Sequence, residues 1–286
     1  MPLFRRPDGE LVRGESAVRR AMPYLMPGRN ESAVFHDTVF RIAAARAWLR
    51  AYNRSHAHRA TLFHLLAYAC GVALRARPRL NRFVSGGRIY QRRGVTLSFV
   101  TKMEFTDEGA DATVKLDALE GDSLADFSAR IAAHLADAHG KRRAVDREVE
   151  LAMRLPGPVV RFLFGLVRLL DRWNLLPGFM MKHDPMYASL FLANLGSVGV
   201  SDVFHHLYEY GTVSIFAAMS APRRAPFVVD GQLVIEDGLA VRWTFDERID
   251  DAFSCARSLA LVQDILEEPH RHLGQPDGDA VWSPAA

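Results

Sequence analysis

Cysteine is nearly missing from the 286 residues: only Cys70 and Cys255 occur, each in an apolar helical pattern. That excludes a disulfide scaffold and predicts two buried free thiols in a reducing compartment. Lysine is also scarce. Lys102, Lys115, Lys141 and Lys182 are the only four among 36 basic residues, against 33 acidic ones, for a net charge of +3. No dense basic run stands beside aromatic platforms, so no nucleic-acid partner is expected. Long apolar runs are absent too. The most apolar stretch, 159–181, is broken by Arg161, Arg168, Asp171, Arg172 and Pro177, which makes it a poor membrane span. Residues 1–14 lack the apolar core of a signal peptide, and a cytoplasmic location is expected. No phosphate-cradling or dinucleotide glycine string appears, so nucleotide hydrolysis and hydride transfer have no support. His56, His58 and His64 lack metal-ligand spacing, and no metal is expected.

What is present is ordinary globular material, 49% apolar and 24% charged, which excludes a disordered chain. Val34, His36, Thr38 and Phe40 alternate as a strand within 32–41. A helical pattern follows over 42–54. Thr61 can cap a second helix that stops near Pro78, and 81–92 reads as a hairpin turning at Gly86-Gly87. Further strands are expected at 95–100, 112–116, 187–195, 212–219, 227–229, 232–235 and 239–245, with turns at Asp230-Gly231 and Asp237-Gly238. A helix over 252–266 closes the pattern. The order has no regular βαβ alternation. It predicts an α+β two-layer sandwich, a mixed sheet with flanking helices. The expected division is a tail at 1–16, one domain at 17–270 with an apolar helical insertion at about 142–183, and a mobile tail at 271–286.

Two segments admit two readings. Gly121-Asp122-Ser123-Leu124 has the letters of a lipase motif, but Ser123 with Asp126 is better explained as a helix start. The segment 159–176, after the breaker Pro156-Gly157-Pro158, reads as a helix packed on the domain or on another subunit. Alternatively it is an interfacial membrane helix with snorkelling arginines.

Several strings in order then point to a family. They are Asn194-Leu195-Gly196-Ser197-Val198-Gly199, the hairpin from Pro226 to Asp237, and Thr244-Phe245-Asp246-Glu247-Arg248-Ile249-Asp250-Asp251-Ala252. Upstream stand Arg19-Arg20-Ala21-Met22 and Ala76-Arg77-Pro78-Arg79-Leu80-Asn81. Together they resemble the catalytic domain of the dihydrolipoyl acyltransferases of 2-oxo acid dehydrogenase complexes, over roughly residues 17–270. The resemblance implies the chloramphenicol acetyltransferase-like fold and a homotrimer with sites between subunits. It also implies acyl transfer with coenzyme A or a lipoyl thioester as substrate, and no covalently bound cofactor. No lipoyl domain or long Ala-Pro linker is seen, so a free-standing catalytic-type domain is expected.

In that family a histidine takes the thiol proton, and a serine hydroxyl from a neighbouring subunit bonds the oxyanion. The histidine lies in Asp-His-Arg-x-x-Asp-Gly, where this chain has Glu247, and Ala252 replaces the glycine. The serine precedes Asn-Leu-Gly, where this chain has Ala193. An ordinary carboxyl, pKa about 4.3, faces a thiol near 8.5, so proton transfer is uphill by on the order of 6 kcal/mol unless burial intervenes. The site is therefore expected to be rearranged or impaired. A catalytically inactive binding or assembly protein is the other outcome. By resemblance, Asp251 holds the active-site loop through Arg19 or Arg20, with Arg248 as another partner, and Asn194 and Gly196 line the cofactor channel. A surface ion pair of little value is the alternative for the clamp. His205-His206 imitates the chloramphenicol acetyltransferase His-His-x-x-x-Asp-Gly but has Tyr210 in place of the aspartate. It reads as either a polar-loop pair or a relocated base.

Overall fold

A computed structural model describes residues 5–102 and 111–284, with side chains at 101–102, 111–112 and 138–152 outside the description. Its main element is a mixed sheet in the order β2-β10-β8-β7-β5-β6. These strands are β2 (Ala33–Arg41), β5 (Val95–Lys102), β6 (Asp111–Ala118), β7 (Leu190–Asn194), β8 (Ile215–Met219) and β10 (Gln232–Asp246). β7 runs parallel to β5 and β8, and the other pairs are antiparallel. β9 (Arg223–Val229) folds back on the first half of β10. A small sheet, β1 (Gly9–Leu11), β4 (Arg88–Arg92) and β3 (Arg82–Ser85), stands apart.

Period-two alternation divides the large sheet into two faces. Leu97 and Phe99, Leu190 and Leu192, Ile215 and Ala217, and Val241, Trp243 and Phe245 point into the main core. The helices α2 (Ala43–Ser55), α3 (Leu62–Ala76), α4 (Leu124–Met153) and α7 (Ala252–Glu267) contribute to the same core, through Trp48, Leu66, Phe127 and Ile265 among others. Phe191, Phe216 and Ala218 point the other way, into a smaller cluster closed by Ala188, Leu207 and Val213. The segment 200–213, which contains Leu207, thus covers the second face. The architecture is the expected α+β sandwich.

Caps fix the helix starts. The Thr61 hydroxyl accepts from the His64 N–H, and Ser123 and Asp126 bond each other's backbone N–H at the start of α4. Ser123 is thus engaged as a cap. α1 (Ala17–Leu25) begins at Ser16. α5 (Gly157–Arg172) and α6 (Gly178–His183) follow the breaker. Lys115 holds the end of α6 by donating to the carbonyls of Met181 (2.7 Å) and Asp184 (2.9 Å). Burial pulls its pKa down to about 8.

The structure corrects several sequence expectations. Residues expected as an N-terminal tail form β1, and Arg6 is buried between Asp8 and Asp171, 2.6 and 2.7 Å away. The expected mobile C-terminal tail is packed down. α8 (Pro269–Leu273) buries Leu273, Val281 bridges Ser123, and the Trp282 N–H bonds the Tyr68 hydroxyl. The turn expected at Asp237-Gly238 is continuous strand. A Cβ at Gly238 would press on the side chains of Ala225, Phe227 and Val39, at 3.0 to 3.1 Å. The helix expected to open an insertion at 142 is the continuation of α4.

Candidate active site

The loop after β10 is stapled from both sides. Asp246 and Arg248 are buried, and the guanidinium grips the carboxylate in two bonds of 2.8 and 2.7 Å. The Ser32 hydroxyl adds a third bond to Asp246, and Arg248 Nη1 donates to the carbonyls of Met26 and Pro27. Between these residues the Glu247 N–H donates to Ser32 O at 3.0 Å, and Arg19 Nη1 donates to the Glu247 carbonyl at 2.8 Å. Glu247 therefore has a fixed backbone at the end of the sheet and a half-exposed side chain.

The clamp differs from the expected one. Asp251 is exposed and caps α7 by accepting from the Ser254 N–H at 2.9 Å. Its neighbour Asp250 has a fully buried side chain, paired with Arg79 at 3.1 Å. Arg248 pairs with Asp246, Arg19 bonds a carbonyl, and Arg20 lines a different groove beside Arg13, Tyr24 and Arg88. The one-residue shift has a physical reason. Asp251 begins a helix and is used by its free N–H groups, which leaves Asp250 facing inward. A cleft of about 360 Å³ opens here, with Arg77, Arg79, Asp250, Asp251 and Phe253 on its walls.

Ala193 and Asn194 close β7 at the other end of the sheet. Ala193 is paired with Ala218, and Ala218 with Arg242. Glu247 lies five residues beyond Arg242. At about 3.3 Å per residue, the levels of Ala193 and Glu247 are about 17 Å apart along the strands. Residues at these two positions cannot meet within one chain. At Gly196, expected in a cofactor channel, a Cβ would strike the backbone of Ser220 and Ala221. Asn194 is half-buried, and its carbonyl accepts from the Ser197 hydroxyl.

His205 shares the face of Ala193. Its ring stacks on Phe216, with centroids 3.9 Å apart and planes within 5°, and Phe216 and Ala193 belong to the same small cluster. Phe216 is two positions from Ala218, the strand partner of Ala193, so His205 lies over the same face as Ala193. The Thr244 hydroxyl donates to the His205 carbonyl at 2.6 Å and fixes the loop. His205 Nδ1 lies 2.8 Å from the His206 carbonyl. A carbonyl only accepts, so Nδ1 carries the proton, and the lone pair of the neutral ring is on Nε2. Burial pushes the His205 pKa down, which favours that neutral form. His206 is exposed and stacks on His205 at 4.5 Å.

Residues 180–273 match the family model of the 2-oxoacid dehydrogenases acyltransferase (catalytic domain). This chain resembles those acyltransferase catalytic domains. No curated protein matches it. Among solved structures, a probable dihydrolipoamide acetyltransferase from Listeria monocytogenes superimposes with a TM-score of 0.60 at 12% identity, covering 96% of this chain and 99% of that one. The cubic core of the pyruvate dehydrogenase multienzyme complex gives 0.56 at 16%, covering 91% and 93%. A chloramphenicol acetyltransferase gives 0.50 at 12%, covering 90% and 99%. The chain has the chloramphenicol acetyltransferase-like fold of acyltransferase cores.

Glu247 and Ala193 stand at opposite ends of the sheet. Among the described residues, no cluster of three or more His, Cys, Asp or Glu side chains could hold a metal.

Proposed function

We propose that this protein transfers acyl groups between thiols, with coenzyme A or a lipoyl thioester as donor, at a site shared between copies of a homotrimer. In this reading one copy brings the Glu247 loop, and another brings the sheet face of Ala193 with His205 as the base. The observation that carries it is the His205 ring. It is held on Phe216 with no hydrogen-bond partner at Nε2 among the described residues, on the same face as the position where the resembled family has its serine. The roughly 17 Å between the Ala193 and Glu247 levels supports a site built from two copies. Likeness to a cubic core supports a symmetric assembly.

The chemistry follows from the placement. Nε2 of His205 takes the proton of the acceptor thiol, and the thiolate attacks the thioester carbonyl, forming a new C–S bond. The tetrahedral intermediate collapses and breaks the old C–S bond. The departing thiolate recovers a proton from the imidazolium. Ala193 offers no hydroxyl to the oxyanion, which leaves a barrier about 2.7–4 kcal/mol higher than a good donor would allow.

The test is acetyl transfer from acetyl-coenzyme A to dihydrolipoamide. His205→Gln should cost about 10²–10⁴-fold in rate, and Ala193→Ser should raise it. A larger loss from Glu247→Gln than from His205→Gln would move the base to Glu247 and refute this assignment. The missing imidazole at 247 and hydroxyl at 193 favour a second reading, an inactive binding or assembly protein. On that reading the unmodified protein has no turnover, and Glu247→His with Ala193→Ser creates some.

A further inference from the structure

We infer that α5 and the turn into α6 form a docking surface for an anionic lipid bilayer. The inference does not rest on the acyl-transfer reading. α5 buries none of its side chains fully. Its inner side is nonetheless anchored. Val167 and Leu170 pack on Leu176, Met181 and Tyr187, Phe164 meets the Tyr210 ring edge-on, and Asp171 is ion-paired to buried Arg6. The helix is thus held in place with one side exposed.

That side carries Val159, Phe162, Leu166, Leu169 and Trp173, spaced 3, 4, 3 and 4 residues apart, so they lie in one stripe along the helix. Phe162 is 67% exposed, and Phe179 at the start of α6 is 69% exposed. Apolar groups of this size left in water in one contiguous row mark an interaction site. Arg161, Arg168 and Arg172 follow the same helical spacing on the adjacent side, and all three are exposed.

Charge selects the occupant. Between 153 and 183 the chain carries Arg154, Arg161, Arg168, Arg172 and Lys182 against one carboxylate, Asp171, which Arg6 already neutralises. A second copy laid on this stripe would set arginines against arginines. A negatively charged surface would pair with every one of them. An amphipathic helix with aromatic and leucine side chains on one side and arginines on the next is suited to the bilayer interface, its apolar side entering the headgroup boundary and its guanidinium groups among the phosphates. No helix among the described residues is long and apolar enough to cross a membrane, so the contact is peripheral.

Flotation of the full chain with phosphatidylglycerol-containing vesicles, against pure phosphatidylcholine vesicles, tests this. Binding to the anionic vesicles should exceed binding to the neutral ones and weaken with salt. Phe162→Glu with Trp173→Glu should reduce it at least tenfold, and each of Arg161→Gln and Arg168→Gln about fivefold. All four residues are exposed, and unchanged circular dichroism of the variants checks that they fold. No binding to either vesicle, or binding that the variants leave unchanged, overturns the proposal. So does an oligomer mass that falls in Leu166→Glu with no vesicle binding by the parent, because the stripe is then a contact between copies.

Discussion

Replacing Arg248 by methionine tests whether the loop carrying Glu247 is held by one buried ion pair. The guanidinium makes two bonds to Asp246, 2.8 and 2.7 Å, and two more to the carbonyls of Met26 and Pro27, 2.9 and 3.1 Å. Methionine fills much of the volume but supplies none of these. Asp246 has a fully buried side chain. It would keep only the Ser32 hydroxyl and one backbone N–H as partners. Removing one member of a buried pair typically costs about 3–5 kcal/mol, because the remaining charge is left in a poorly solvated place. At about 2–4 °C per kcal/mol for a chain of this size, the melting temperature should fall by on the order of 10 °C. Urea titration followed by tryptophan fluorescence reads the same loss as an earlier midpoint. Adding Asp246→Leu should recover most of the stability, since no orphaned carboxylate remains. A loss below about 1 kcal/mol, the range of exposed pairs, would show that the clamp is not what holds the loop. Strict additivity of the two substitutions would refute the coupling.

Three further outcomes are expected. Gly196→Ala should destabilise by about 1–3 kcal/mol, measured by urea titration, because the added carbon meets backbone at Ser220–Ala221 that cannot move aside. Leu273→Ala should cost about 2–5 kcal/mol in the same assay, since that side chain fills the main core; a value near zero would mean the C-terminal segment is dispensable. Burial lowers the pKa of His64 and of His205, so the unfolded chain binds their protons first as pH falls through about 6.5. Stability should therefore decline below that pH. His205→Gln should flatten the decline in melting temperature, and an unchanged slope would contradict the buried placement.

Much of the sheet was legible in the sequence because one period controls it. In β8, residues two apart share one core and adjacent residues divide between the two, and alternation of that kind is visible without coordinates. Gly238 was misread because a glycine after an aspartate signals a turn locally, whereas here it gives space to three neighbouring side chains. The termini were misread because short polar segments look mobile until their partners are known; Arg6 and Leu273 find theirs far along the chain. In the site, the strings around 194 and 247 were recognisable. Their separation was not, since it depends on which strands pair and in which register. The exchange of roles between Asp250 and Asp251 was equally hidden. Both are aspartates in one string, and only the start of α7 decides which one caps. The His205 tautomer depends on one carbonyl, a contact that no spacing rule announces.

A crystal structure with coenzyme A tests the central claim most directly. The account predicts the thiol between two copies of the chain, its sulfur within hydrogen-bond reach of Nε2 of His205, on the face that carries Ala193. A sulfur seated beside Glu247 instead, or inside a single copy, would contradict it.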